Sequence, residues 1–474
     1  MRVILLCCVA LLACSSPNAT TDGGDDAGDD ALPQTFSYTP QGCSYAVTIP
    51  ASRGFQAIAL DDGKPITDVS GATPARVRIG LGGGSRGADP TTSAVFTWET
   101  SAAVGAAEVR IGATTYTGHV WTTPAPTIGL GTGEPPAYMH EVDVCGLQPG
   151  TTYTYTVGGG ASGADVWSAP QTFTTVPTGK ITFGVSGDSR DSASVFQLVQ
   201  ERMRDDAVAF QLFSGDFVLW GTQESLYQQW LDAAWKDPND ANKFLTLGQQ
   251  MILAVPGNHE NSSAQFYGNF ALPGDGDYAE SFFSFDVGSA HFVMFDDQEI
   301  AAESTADEAQ AALAFLDDDL GKAEQNRANV PFLVAVHHRS EFGGGGHSTD
   351  SDVVSARALL NPIWDEHHVD LVINGHEHDY ERTQPITGPP TAPVVQSDST
   401  KGTTYAVCAG AGAGAYSLSG PTSYDAKAVT FGGSTPYVGV YAIVSLDAHS
   451  LAWTAYGLKA SGGDDTVDTF TLTR

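Results

Sequence analysis

The sequence predicts an N-terminal all-β sandwich followed by a C-terminal α/β domain with a β-sheet core flanked by helices, and three observations predict it. Between about residues 75 and 175, short alternating runs such as Ala94-Val95-Phe96-Thr97-Trp98 and Thr152-Tyr153-Thr154-Tyr155-Thr156-Val157 are separated by Gly, Pro and Ser turns. From Lys180 onward the pattern changes to apolar runs rich in Val, Ile and Phe, alternating with helical patterns over 194–204 and 305–320. Continuous apolar runs are what strands buried on both faces require. Glycine is abundant (53 residues) and charged residues are sparse at 16%, which disfavours long surface helices.

A length of 474 residues suits two ordinary domains. The change of pattern puts their boundary near Pro177, giving a sandwich over 33–177 and an α/β domain over 178–474. Ahead of them, Met1-Arg2 and the uncharged apolar run 3–13 have the form of an export signal over 1–13, too short to span a membrane. Leu11-Leu12-Ala13-Cys14 resembles a bacterial lipobox, which would leave Cys14 as a lipidated N-terminus; plain cleavage by a general signal peptidase is the alternative. Residues 14–32 are rich in Asp, Gly, Ser, Thr and Asn and cannot repay the entropy of folding, so they read as a tether. The expected location is exported, lipid-anchored to the cell envelope with the outer membrane as the favoured side, or secreted.

The formal charge is −33, from 55 acidic against 22 basic residues. Such a field repels nucleic acid and anionic lipid, so no nucleic-acid partner is expected and membrane contact runs only through Cys14. Of six cysteines, Cys7 and Cys8 leave with the signal. Cys43 and Cys145 could close a disulfide in an oxidising compartment, and Cys408, in an Ala-Val-Cys-Ala setting, has the character of a small buried hydrophobe. There is no CxxC pair to suggest a thiolate zinc site.

The chemistry lies at the ends of apolar runs. Ile181-Thr182-Phe183-Gly184-Val185-Ser186 leads to Gly187-Asp188, and Phe210-Gln211-Leu212-Phe213-Ser214 to Gly215-Asp216. Met251-Ile252-Leu253-Ala254-Val255 leads to Pro256-Gly257-Asn258-His259-Glu260, Phe332-Leu333-Val334-Ala335-Val336 to His337-His338, and Leu371-Val372-Ile373 to Asn374-Gly375-His376-Glu377-His378. Ligands bind at the carboxyl ends of strands in open α/β sheets, so these scattered tips can converge.

In that order the tips resemble the signature of the calcineurin-like metallophosphoesterases. The run from Gly375 to Arg382 and the late Asp468-Thr469-Phe470 are similar to purple acid phosphatases. The corner Gly146-Leu147-Gln148-Pro149-Gly150-Thr151 with Tyr153 and Tyr155 resembles fibronectin type III domains and the N-terminal domains of that same group. The resemblance covers about residue 75 to the C-terminus. It implies a phosphatase that hydrolyses small phosphate monoesters with two divalent or mixed-valence metal ions, iron, zinc or manganese. Two such cations clamp a phosphate, and a water between them loses a proton to become the nucleophile.

Carried over by motif, the resemblance implies that Asp188, Asp216 and His378 bind one ion and that Asp216, Asn258, His337 and His376 bind the other, with Asp216 bridging. Two carboxylates against at least four positive charges would leave the pocket positive inside an acidic protein. His259 would meet phosphoryl oxygens, and His347, in the run Gly343-Gly344-Gly345-Gly346-His347, would meet the substrate or its leaving group. Two departures stand out. Leu219 occupies the place of the purple enzymes' tyrosinate ligand, which implies an active enzyme without the purple colour; Tyr227 and Tyr380 are the nearest tyrosines in sequence that could substitute. Arg190 stands where relatives have glycine or histidine; its fork could hold phosphate oxygens, and a surface salt bridge is the alternative. Two other readings stay open: a phosphodiesterase or nucleotidase on the same metal core, and a non-catalytic surface binding protein with a structural metal site.

One expectation depends on the sequence alone. Cys14→Ala should move the protein from the membrane fraction to the soluble fraction, because one modified cysteine is the anchor in view; continued membrane association would point to another attachment.

Overall fold

The alternating N-terminal runs form two facing sheets. A computed structural model of the chain describes residues 35–50, 56–58, 71–122, 137–159, 166–389, 391–418 and 422–474; the expected signal, Cys14 and the tether lie outside them. Ala75–Gly80, Ser93–Thr100, Tyr138–Cys145 and His119–Thr122 pair antiparallel in one sheet. Glu108–Ile111, Thr114–Thr117, Thr152–Gly159, Val166–Trp167 and Gln171–Thr174 make the other. Phe96 of the first sheet meets Tyr155 and Phe173 of the second at ring-centroid distances of 4.7 and 5.0 Å, the interdigitation expected of a sandwich core. At the corner, the Gln148 amide donates to the Tyr153 hydroxyl at 2.8 Å. Cys43 and Cys145 are disulfide-bonded, and Cys408 is free and buried.

The C-terminal part is a second pair of stacked sheets with helices outside each. In one, Asp465–Thr473, Ser450–Leu458, Gly439–Leu446, Ile181–Ser186, Phe210–Phe213 and Met251–Ala254 lie in that order, the last three parallel. In the other, Phe282–Val287 and Ala290–Phe295 precede the parallel run Phe332–Val336, Leu371–Asn374 and Thr404–Cys408, with Tyr380–Thr383 and Asp425–Val429 beyond. The facing surfaces are aromatic: Phe292 packs edge-on against Phe183 and Phe210 at 5.5 and 5.9 Å.

Two of the helices form where the apolar spacing suggests, Ala193–Asp205 and Asp307–Gln325. Ala193–Asp205 starts at Ser192, whose hydroxyl accepts from the Val195 amide, and buries Phe196, Val199 and Met203 along one face. It packs beside Glu224–Trp235, with Phe196 stacked on Trp230 at 4.3 Å. Asp307–Gln325 and Ser351–Glu366 cover the other sheet, where Leu316, Leu320, Leu360 and Trp364 join Leu333, Ala335 and Val372 in one cluster. Among the described residues no helix is long and apolar enough to cross a membrane.

The two parts are more continuous than the change of sequence pattern near Pro177 suggests. The described residues fall within one compact unit. Met251 pairs with Ile79, so the strand Ala75–Gly80 extends the C-terminal sheet into the sandwich and one sheet runs through eleven strands. The Tyr155 hydroxyl also donates to the Gly248 carbonyl at 2.6 Å. Both contacts brace the strand Met251–Ala254 from its outer side.

His291, near the start of the strand Ala290–Phe295, lies between Asp286 (2.7 Å) and Asp319 (2.8 Å), and Arg86 also pairs with Asp319. Burial lowers its pKa, but the two carboxylates outweigh that and raise it from 6.5 to about 9. A folded-state pKa raised in this way contributes stability that is complete below the unfolded pKa and disappears as pH rises through the folded one. The wild-type protein should therefore lose stability between about pH 6.5 and 9, by at most about 3 kcal/mol. His291→Gln should flatten that decline in a series of thermal melts; an unchanged slope would show that the imidazolium contributes nothing.

Candidate metal centre

The five strand tips converge, and tight backbone geometry brings them together. Asp188, Asp216, His376 and His378 all have positive φ, at 57°, 57°, 75° and 47°. Four non-glycine residues held in the left-handed region mark a strained site that the surrounding structure must over-determine. The neighbouring glycines allow the close approach: a Cβ on Gly257 would meet Asp216 Oδ1, and one on Gly375 would meet Asp188 Oδ2 at 2.5 Å. The Asp188 amide donates to the Gly215 carbonyl (2.9 Å), and the His376 amide to Asp188 Oδ1 (3.0 Å). Glu260, fully buried, accepts from the amides of Asp216, Phe217, Val218 and Gly257. Burial and then Asp216 push its carboxyl up, while those amides act against the rise.

One assignment must be corrected. Of the pair after Phe332–Val336, His338 faces the centre and His337 does not. Phe332, Val334 and Val336 belong to the core between the sheets, whereas Leu333 and Ala335 face the helices. His337 continues the second set: its ring stacks on Phe295 at 4.7 Å, with Nδ1 3.0 Å from Asp297 and Nε2 2.9 Å from Glu341. Burial lowers its pKa, but Glu341 and Asp297 overcome that and raise it to about 9, so the ring is an imidazolium with no lone pair to offer a metal. Burial likewise favours a neutral Asp297, yet Arg339 and His337 hold it well below the usual carboxylate range.

His338 has the opposite setting. Its Nδ1 donates to the Ser214 carbonyl at 2.7 Å, which leaves the Nε2 lone pair facing Asn258 Oδ1 (2.9 Å), Asp216 Oδ1 (3.4 Å) and His376 Nδ1 (3.2 Å). Among the described residues, Asp188, Asp216 and His338 bring one ligand atom each to within 4.8 Å of one another. His378 is oriented in the same manner, its Nδ1 donating to the Gly414 carbonyl at 2.6 Å and its Nε2 lying 3.6 Å from Asp188.

The donor set fits metal ions. Asp188 Oδ2 and His376 Nε2 are buried without a hydrogen-bond partner, an arrangement costly unless a cation completes it. Burial, and then Asp216, drive the Asp188 carboxyl well above its ordinary value. Burial also lowers His338 and His376 and brings His378 down to about 4, which keeps the three imidazoles neutral. Two crowded carboxylates and three neutral imidazoles beside an amide oxygen make a mixed oxygen and nitrogen site suited to iron, zinc or manganese.

The remaining candidates surround this centre. His259 Nδ1 donates to the Leu219 carbonyl (2.8 Å), and its Nε2 lies 3.8 Å from Asp216. His347 is 4.4 Å from the His376 ring, its Nδ1 bonded to Asp350 at 2.7 Å. Its loop is held from below, where Glu377 accepts the His347 amide and Glu381 the Gly344 amide. Arg190 lies inside the site: Nε is 3.8 Å from Asp216, and Nη2 is 3.3 Å from His378 Nε2. Leu219 is 37% exposed. Tyr380 donates to Asp468 (2.9 Å), which also takes Arg382, and Tyr227 is buried in the core.

Tyr416 is the addition that sequence reasoning missed: its ring stacks on His378 at 4.1 Å and its hydroxyl accepts from Arg190 Nη2 at 3.0 Å. It follows a Gly- and Ala-rich segment that carries no motif, and the aromatic at the end of that segment was the only signal.

Comparison with known proteins points to the same family as the sequence motifs. The family model "Purple acid Phosphatase, N-terminal domain" matches residues 84–175, and "Calcineurin-like phosphoesterase" matches residues 181–380. The chain is 25% identical over 270 residues to acid phosphatase type 7 of Mus musculus, covering 52% of this chain and 58% of that protein. It is 28% identical over 256 residues to purple acid phosphatase 21 of Arabidopsis thaliana, covering 52% and 54%. It thus spans a little over half the length of these curated relatives. Its fold is similar to a purple acid phosphatase from yellow lupin (Lupinus luteus) seeds, with TM-score 0.67 and 18% identity over 85% of this chain and 75% of that one. It is also similar in fold to PhoD, with TM-score 0.58 and 11% identity over 86% and 92%.

The two adjacent histidines give a direct test. His338→Ala should lower the metal content of purified protein. His337→Ala should retain the metal but lower stability by about 3–5 kcal/mol, the cost of breaking a buried charge cluster. Metal analysis with denaturant melts reads both, and metal loss confined to the His337 variant would reverse the assignment.

Proposed function

Because this chain carries a purple acid phosphatase N-terminal domain in front of a calcineurin-like metallophosphoesterase domain, we propose that it hydrolyses small phosphate monoesters with two metal ions. The observation that carries the reading is the group Asp188, Asp216 and His338 at the strand tips, with Asn258, His376 and His378 around it. Asp188, Asp216 and His378 would hold one ion, and Asp216, Asn258, His338 and His376 the other. Bound there, two cations supply charge to clamp a phosphate and to lower the pKa of water.

The chain's own groups supply the rest. Asp216 is shared by both positions, and Glu260 fixes the turn that carries it. Arg190 presents a planar fork suited to two phosphate oxygens. His259 points its Nε2 toward Asp216, with the tautomer set by the Leu219 carbonyl, so it can meet the phosphoryl group or the attacking water. His347, oriented by Asp350, is the candidate proton donor to the leaving oxygen. Leu219, in place of an anionic phenolate, favours a divalent pair over trivalent iron.

Asp216→Asn and His376→Ala should each reduce hydrolysis of an aryl phosphate monoester by at least about a thousandfold while the fold is retained. The same assays with a diester and a nucleotide decide substrate class. Faster turnover of the diester would replace the monoester reading, and no turnover of any of them by metal-loaded protein would leave a binding role.

A further inference from the structure

We propose that Arg190 makes the two metal positions unequal: its guanidinium competes for the first, formed by Asp188, Asp216 and His378, so that this position binds metal much more weakly than the second. The inference rests on the two-ion reading above and concerns how the ions are taken up.

The donors differ first in number. The second position has Asp216, Asn258, His338 and His376, with the His338 Nε2 lone pair 2.9 Å from Asn258 Oδ1 and 3.4 Å from Asp216 Oδ1. The first has Asp188, Asp216 and His378, and Asp216 is shared. A fourth donor is missing from the Gly-Asp-x-x-x segment, because Leu219 has no side-chain ligand atom and its carbonyl already accepts from His259.

The donors differ also in what their lone pairs meet: that of His338 faces an amide, a carboxylate and a neighbouring imidazole, whereas that of His378 faces a guanidinium. His378 Nδ1 carries its proton toward the Gly414 carbonyl, so its one lone pair is on Nε2. Arg190 Nη2 lies 3.3 Å from that atom. A guanidinium nitrogen has only hydrogens to offer and does not deprotonate in proteins, so this contact must be donation into the His378 lone pair. A metal ligated by His378 needs the same lone pair, and the two arrangements exclude each other. Arg190 Nε is 3.8 Å from Asp216 Oδ2, so the fixed positive charge also opposes a cation at the bridging carboxylate.

Arg190 is held in this pose from outside. The Tyr416 hydroxyl accepts from Nη2 at 3.0 Å while its ring lies flat on His378 at 4.1 Å and an interplanar angle of 7°. Asp191 accepts the Gly414 amide at 3.0 Å, which ties the loop carrying Tyr416 to the loop carrying Arg190. Filling the first position therefore calls for rotation of one side chain out of this clasp, with the backbone left in place. Arg190 acts here as a positioning residue on metal uptake, and its displaced fork remains at the mouth of the site, where a phosphate would meet it.

The test is calorimetric titration of metal-stripped full-length protein with Mn²⁺, with metal analysis after dialysis. Wild-type protein should bind one ion tightly and a second at least about tenfold more weakly. Arg190→Ala and the bulkier, uncharged Arg190→Met should tighten the weak ion by at least about tenfold and leave the tight one nearly unchanged. Two ions of equal affinity in wild type, or a weak ion that neither variant tightens, would overturn the inference. A folded protein that binds no ion at all would bring down the two-ion reading itself.

Discussion

The structure of the C-terminal part depends on keeping two carboxylates, Asp188 and Asp216, side by side in a place where water cannot screen them. At such short range in a low-dielectric interior, like charges repel strongly. The arrangement persists because each tip is fixed by more contacts than a turn normally has. Asp188 is held by the Gly215 carbonyl and the His376 amide, and Asp216 by the Glu260 carboxylate. The left-handed backbone at four of the site residues and the glycines beside them follow from that crowding. Burial of this kind is tolerated when cations complete the charge balance, which is why the same features that strain the fold describe a metal centre.

Support extends outward in layers. Glu377 and Glu381, on the two sides of His378, hold the amides of the loop that carries His347. Arg382 and Tyr380 both bind Asp468 on the last strand, so the segment that supplies two histidines is anchored to the end of the chain. On the other side, pairing of Met251 with Ile79 and the bond from Tyr155 to Gly248 brace the strand that leads to Asn258. The sandwich thus contributes rigidity to one wall of the site without adding a ligand to it.

Much of this was legible in the sequence, because five apolar runs end abruptly in residues with ligand chemistry, four of them with a glycine beside it. What the sequence left open has physical causes. In Phe332–Val336 every residue is buried, so hydrophobic alternation carries no information about which face looks inward; the choice between His337 and His338 depends on which set of side chains packs between the sheets. Tyr416 acts through a tertiary contact and sits in a segment without periodicity. The join between the two parts is made by tertiary contacts, among them the Met251–Ile79 pair, the Tyr155 hydroxyl on Gly248 and Arg86 on Asp319, which leave no pattern along the chain. Leu219 and Arg190, by contrast, were readable as departures; what the sequence left out is the relation of Arg190 to His378 and Asp216.

That relation gives the two departures a common sense. On the two-ion reading, Leu219 in place of a phenolate would remove a negative donor from the first position, and Arg190 beside His378 and Asp216 would add a positive charge to it. Both changes lower the attraction of that position for a highly charged ion, and neither touches the Asn258, His338 and His376 donors of the second. A site altered in only one of these ways would be short of a ligand or burdened with an extra charge; altered in both, it becomes a place where a side chain of the protein and a weakly held cation can exchange. On that reading phosphate chemistry would suit such an exchange, because a guanidinium displaced from the metal position is well shaped to receive phosphate oxygens.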